Sequence, residues 1–159
     1  MDVITRYRVT DLVLHSAEDL TALAAALEAQ GLTVTQRALQ IAETSREWFR
    51  IAETDRMWVF QLDCEVHCDD LEPDIAAFLA AVEALDPPER AAWAGCSQRI
   101  FDPCYDCGTK PFLVRHDLSA GTLARLAAAG GSLRLTLCAL DPSEIQPAGP
   151  GAAADGGGM

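Results

Sequence analysis

The chain has 159 residues, half of them apolar, and its 24 acidic and 12 basic side chains give a net charge of −12. This length supports one domain with a hydrophobic core and is short for two. Such a charge repels nucleic acid phosphates and anionic lipid headgroups, so we expect neither nucleic acid nor membrane as a partner. No stretch approaches the roughly 18 apolar residues of a membrane span, and the amino terminus lacks a signal-peptide pattern. We therefore expect a cytoplasmic protein.

The first predicted elements are a strand, a helix and a second strand. Residues 3–14 alternate between apolar and polar types and are rich in β-branched side chains, which favours a strand. Ser16 has the pattern of an N-cap for a helix over 17–29, because an acid follows three residues later. Gly31 suits the C′ position that ends this helix, and a short strand is predicted over 32–35.

A local duplication follows, since residues 51–60 repeat residues 41–50 at six of ten positions. Two copies of ten residues are too short for a solenoid. We interpret them as successive strands of a meander, in which Trp48 and Trp58 occupy equivalent positions. Two tryptophans on a sheet face belong to the core more often than to a ligand platform.

Residues 58–66 alternate strictly and predict a half-buried strand. Asp69 or Asp70 then caps a helix predicted over 70–84. Acidic side chains crowd the amino end of this helix, where the macrodipole favours negative charge. We expect this acidic group to contact a partner protein, and its members are Asp69, Asp70, Glu72 and Asp74.

The last third of the chain predicts further elements. Residues 86–95 suit a short helical turn that Gly95 ends, and residues 99–104 and 110–116 are predicted strands. Ser119 caps a third helix, predicted over 120–129 and ended by Gly130 and Gly131. Alternating leucines then predict a last strand over 133–139.

These elements indicate the α+β class, with a single antiparallel or mixed sheet and three helices packed mainly on one face. We expect one domain over 1–145 and a disordered tail of Pro, Gly and Ala over 146–159. The predicted core residues are Trp58, Phe60, Leu62, Phe78, Leu123, Leu126 and Leu135.

Four of the six cysteines form two tight clusters, which raises the possibility of a zinc site. In a strand, Cys64 and Cys68 lie about 13 Å apart at roughly 3.3 Å per residue, too far to share one zinc ion. The alternative zinc site takes its ligands from Cys104, Cys107, Cys68 and His67.

Free thiols without a cofactor are the default interpretation, because disulfides are rare in the cytoplasm. Cys96 and Cys138 are interpreted as small buried hydrophobic residues. A thiol-redox role for Cys104 and Cys107 remains part of the alternative, although a redox Cys-x-x-Cys is usually placed at a helix start. Here Gly108 to Pro111 follows instead.

The carboxy-terminal half has a recurring pattern. It runs from Trp58-x-Phe60-x-Leu62 through the acidic helix to Leu118-Ser119-x3-Leu123-x2-Leu126 and Leu133-x-Leu135. This pattern resembles the bacterial family called domain of unknown function 4279, loosely over residues 5–140. The resemblance implies a small α+β domain and supplies no catalytic residues.

No arrangement in the sequence points to catalysis. His15, His67 and His116 lie outside nucleophile motifs, and no glycine-rich phosphate loop is present. His116 and Asp117 are neighbours, whose side chains would take opposite sides of a strand. We therefore expect a non-catalytic acidic binding protein, such as a toxin's immunity protein or an accessory subunit, whose partner has a basic face. The alternative is the small zinc-binding or thiol-redox domain.

Overall fold

The computed structural model describes residues 4–38, 58–64, 70–111 and 113–139, with only the backbone of 35–38 and 58–64. Several predictions lie outside the described residues. They concern the repeat before residue 58, the ligands His67 and Cys68, the acid Asp69 and the tail over 146–159.

The described residues form six strands and four helices. The strands are β1 (Arg6–Ser16), β2 (Leu32–Ala38), β3 (Trp58–Cys64), β4 (Gln98–Cys107), β5 (Ser132–Leu133) and β6 (Thr136–Ala139). The helices are α1 (Thr21–Ala29), α2 (Leu71–Glu83), α3 (Pro87–Gly95) and α4 (Ala120–Ala128). The predicted α+β class is confirmed, but the short turn expected after residue 86 is a full helix. Asp86 is its N-cap, and prolines occupy the first turn, where a missing N–H costs nothing.

The sheet is mixed, with the strand order β2-β3-β1-β4, and both β5 and β6 pair with β4. The β2–β3, β3–β1 and β1–β4 pairs are antiparallel, whereas β5 and β6 run parallel to β4. Among the described strands, β5 and β6 therefore lie at one edge of the sheet and β2 at the other.

All four helices contribute to one hydrophobic core with one face of the central strands. Leu12 on β1 and Phe101 on β4 are register partners, and both are fully buried. Phe101 meets Phe78 of α2 edge-on, with ring centroids 6.3 Å apart. Edge-to-face packing suits the quadrupoles of the two rings. The predicted burial of Phe78 and Leu126 is confirmed.

Two predicted core residues are exposed instead. Leu123 on α4 is 45% exposed, and Leu135, between β5 and β6, is 60% exposed. On α4 the buried residues are Thr122 and Leu126 rather than Leu123. The predicted last strand over 133–139 is interrupted between β5 and β6, and Leu135 lies in the interruption. For the other three predicted core residues, Trp58, Phe60 and Leu62, the described backbone confirms a strand and the side chains are not described.

The predicted start of α1 is wrong by four residues. Ser16 is the last residue of β1, and its Oγ accepts a hydrogen bond of 3.0 Å from the backbone N–H of Glu18. This bond makes a turn between strand and helix, a common alternative use of a serine hydroxyl. The helix begins at Thr21, whose N–H donates to Asp19 Oδ1 over 2.7 Å.

The predicted strand over 110–116 is also wrong, since residues 113–116 form no strand. Pro111 has no N–H to give to a sheet. The segment crosses instead to the amino end of α2, where His116 pairs with Asp70 and the N–H of Ser119 approaches Glu72.

The ends of α1 and α4 agree with the sequence. Ser119 Oγ accepts the N–H of Thr122 over 3.2 Å, the predicted cap of α4. Gly31 and Gly130 have φ angles of 92° and 67°, the left-handed conformation that glycine adopts without steric cost.

Candidate functional site

An apolar cleft opens between the β5–β6 edge, α4 and residues 113–118. Its volume is about 610 Å³, within the range of ligand pockets. We call it the leucine cleft, because leucine dominates its lining: Leu71, Leu113, Leu118, Leu123, Leu133, Leu135 and Leu137.

Several of these leucines are strongly exposed. Leu113 and Leu137 are 57% and 68% exposed, in addition to Leu123 and Leu135. Single exposed leucines are ordinary, but contiguous apolar patches on a monomer mark interaction sites. The leucine cleft is therefore the strongest candidate for a functional surface among the described residues.

The strand register explains why the leucines gather there. Leu133 is the register partner of Phe101, and Leu137 is the partner of Tyr105. Paired residues share a face of the sheet, and Phe101 is on the face that the helices cover. Leu133 and Leu137 thus continue the core face outward, past the cover that α2 and α4 provide.

The polar end of the cleft is built from aromatic rings around His116. The His116 ring contacts Tyr105 and Tyr7, with centroid distances of 5.5 and 5.6 Å. Its Nδ1 lies 3.1 Å from Oδ1 of Asp70, the N-cap residue of α2. This hydrogen bond holds the pKa of the Asp70 carboxyl below its ordinary value. The contacts fix the orientation of the ring at the cleft.

Tyr7 connects the cleft to a buried carboxylate. Its hydroxyl donates to Oδ2 of Asp74 and lies 2.7 Å from the hydroxyl of Thr10. Burial, and then the bond to Asp74, raise the pKa of Tyr7 above its ordinary value. The Tyr7 hydroxyl thus satisfies a carboxylate inside the core, where an unsatisfied charge is costly.

The predicted acidic group does not form one exposed surface. Asp70 is exposed, but Asp74 is only 2% exposed, so its expected surface position is wrong. Glu72 accepts a 2.6 Å hydrogen bond from the Thr122 hydroxyl and weaker ones from the N–H of Ser119. These bonds lower the pKa of Glu72 and use its carboxylate to join α2 to α4. Asp69 lies outside the described residues.

The structure does not bring Cys104 and Cys107 together. Three residues apart on β4, they lie on opposite faces of the sheet. Cys107 lines the leucine cleft, whereas Cys104 Sγ lies 3.8 Å from Oδ2 of Asp11 on the other face. This placement does not favour one zinc ion bound by both thiols. Among the described side chains, no three His, Cys, Asp or Glu groups are arranged to hold a metal ion.

Acidic neighbours surround Cys104. Burial, followed by the charges of Asp102 and Asp11, raises its pKa to about 12. Burial also raises the pKa of Asp102, although its carboxylate accepts a 2.7 Å hydrogen bond from Thr136. Cys96, predicted to be buried, is buried, and its pKa is raised to about 11. Cys138, also predicted to be buried, is only half-buried.

Sequence reasoning missed the assembly around His116. Asp70 precedes His116 by 46 residues, and no spacing rule links them. The alternation of Leu133, Leu135 and Leu137 was a usable signal, but it indicated a face without telling whether another element covers that face.

Comparison with known proteins found no matching family model, no similar curated protein and no similar solved structure. The resemblance to the domain of unknown function 4279 family therefore stays a prediction. None of the described helices is long and apolar enough to cross a membrane.

Proposed function

We propose that this protein is a non-catalytic binding domain whose leucine cleft holds an apolar segment of a partner protein. The observation that carries the proposal is the exposure of Leu135 and Leu137 in a cleft of about 610 Å³. Burying such side chains against a partner is favourable by roughly 25 cal/mol for each Å² removed from water. An immunity protein or an accessory subunit is a role of this kind.

Charge supports a partner with basic residues beside its apolar segment. The protein carries a net charge of −12, and the exposed acids Asp70 and Asp117 lie at the His116 end of the cleft. Complementary charges speed association and discriminate against acidic partners. The same net charge opposes pairing of two copies of this chain through the cleft.

The state of the cysteines supports a reducing compartment such as the cytoplasm. The described cysteines Cys96, Cys104, Cys107 and Cys138 are all free. Secreted proteins of this size commonly use their cysteines in disulfides.

Selection from a random peptide display library tests this function. Wild-type protein should enrich peptides that combine apolar residues with Lys or Arg, and the Leu135→Ser/Leu137→Ser protein should not. The matched control is Ile4→Ser, because Ile4 is also strongly exposed, at 61%, and is not part of the cleft lining. Enrichment of the same peptides by the double variant would contradict the proposal.

A further inference from the structure

A second cavity, of about 410 Å³, lies where the carboxyl ends of α2, α3 and α4 meet. Its lining includes three arginines, Arg90, Arg99 and Arg125, and the carboxylate of Glu83. We call this cavity the guanidinium pocket. The pocket stands out because the protein as a whole is strongly acidic.

Two of the arginines hold helix ends in place. Arg90 Nη2 donates to the carbonyls of Glu83 and Leu85, both over 2.9 Å. Arg99 Nη1 donates to the carbonyls of Trp93, Ala94 and Cys96, and its Nε donates to Gly130 over 2.9 Å. Cations at the carboxyl ends of helices are favourable, so these bonds fix both guanidinium groups.

Those bonds leave donors for a ligand. Within the part of the chain that the structure describes, Nη1 of Arg90 and Nη2 of Arg99 make no hydrogen bond. Gly130 leaves space beside Arg99, since a Cβ at that position would lie 3.2 Å from Nη2. The remaining N–H groups of the Arg90 and Arg99 guanidinium groups are therefore available to bind a ligand in the cavity.

The third arginine has an exchangeable partner. Arg125 Nε and Nη2 each lie 2.8 Å from a carboxylate oxygen of Glu83. Both side chains are well exposed, so solvent and dissolved ions reach the pair. A ligand anion can therefore share or replace Glu83 as the partner of Arg125.

The balance of charge and shape defines the ligand class. The lining carries three guanidinium groups against one carboxylate, and planar guanidinium groups match the oxygens of phosphate and carboxylate. The remaining walls are largely apolar, with Val82, Trp93 and Ala128 among them. These walls suit an organic group attached to the anion.

We propose that the guanidinium pocket binds a small organic oxyanion, a phosphate monoester or a carboxylate, separately from the leucine cleft. Titration with phenyl phosphate, phenylacetate and inorganic phosphate at low ionic strength tests this. The readout is the NMR shift of the Trp93 indole N–H, which donates to the Ala129 carbonyl beside the pocket over 2.9 Å. At least one organic probe should shift this signal saturably, with a dissociation constant of about 1 mM or tighter.

Variants of Arg125 and Glu83 should change the affinity for the probe in opposite directions. Arg125→Gln should weaken binding of that probe by about tenfold, because it removes one charged donor. Glu83→Gln should strengthen binding by several fold, because it removes the competing carboxylate. Arg6→Gln is the matched control. Arg6, on β1, lies 3.1 Å from Asp106 and outside the pocket, so its replacement should leave binding unchanged.

Clear outcomes would overturn the proposal. These are no saturable shift with any probe, or equal affinities in Arg125→Gln, Glu83→Gln and wild-type protein. Equal or tighter binding of inorganic phosphate would overturn the assignment of an organic ligand.

Discussion

Leu137 is the register partner of Tyr105 in the parallel pairing of β6 with β4, yet Leu137 is 68% exposed while Tyr105 is half-buried. The apolar face of the sheet thus extends past the hydrophobic core to exposed residues on β6. Tyr105 in turn contacts His116, so the exposed leucines and the polar end of the cleft belong to one continuous surface. This continuity is the reason for treating the leucine cleft as a binding site.

The Tyr7 hydroxyl contributes to stability through the buried Asp74. Tyr7→Phe removes a donor from a carboxylate that is only 2% exposed, so it should lower the free energy of unfolding by about 1 to 3 kcal/mol. Urea denaturation measures this. Tyr105→Phe is the control, since the described residues show no hydrogen bond to its hydroxyl. A Tyr7→Phe protein as stable as the control would contradict the arrangement.

The Ser119 cap gives a smaller effect. Ser119→Ala removes the acceptor for the N–H of Thr122 and should cost about 1 kcal/mol of stability. Ser119→Gly should cost only a few tenths of a kcal/mol by the same capping scale. Thermal and urea unfolding would show this order, and an alanine variant no less stable than the glycine variant would argue against the cap.

The sequence predicts much of the fold, but it does not predict the contacts that assemble the cleft. Local signals located α2, α4 and the Ser119 cap, because periodicity and capping act within a few residues. The link from Glu72 to Thr122 and the pair of His116 with Asp70 join residues far apart in sequence. No local rule encodes such contacts.

The sequence pattern also did not predict which apolar and acidic side chains are buried. Leu126 and Leu123 both follow the helical period, but the first is buried and the second is 45% exposed. Similarly, Asp74 suited an exposed first turn, whereas the Tyr7 hydroxyl holds its carboxylate in the core. What covers a face depends on the whole assembly of elements.

The Cys104 thiol should be slow to alkylate. Its pKa is raised to about 12, above an ordinary thiol value of about 8.5, so the thiol is neutral at pH 8. Its alkylation rate by iodoacetamide should rise about tenfold per pH unit between pH 8 and pH 10, because the thiolate fraction does so. Peptide mass spectrometry gives the rate at this residue.

Two comparisons sharpen the alkylation experiment. Asp11→Asn should increase the rate at Cys104, because the acidic neighbour helps to raise the thiol pKa. In protein unfolded in urea, Cys104 should be alkylated at the rate of an ordinary thiol. A rate at Cys104 that levels off near pH 9 in the folded protein would show that the thiol is not shielded.

Salt should act on the association rate of a peptide selected for the cleft. Exposed charges farther apart than the Debye length, about 10 Å at 0.1 M salt, are screened. Stopped-flow measurements should therefore show association slowing as salt rises, with Asp117→Asn slower than wild type at low salt. Asp86→Asn is the control, because Asp86 is the N-cap of α3 and is not part of the cleft lining. Rates independent of salt in wild-type protein would contradict a basic partner.

The most direct test of the leucine cleft is the dissociation constant of one selected peptide, measured by calorimetry on three proteins. Leu135→Ser/Leu137→Ser should weaken binding at least tenfold relative to wild type, since removing two apolar contacts costs more than about 1.4 kcal/mol. Ile4→Ser should leave the constant unchanged. Equal dissociation constants for the double variant and wild type would contradict binding through the cleft.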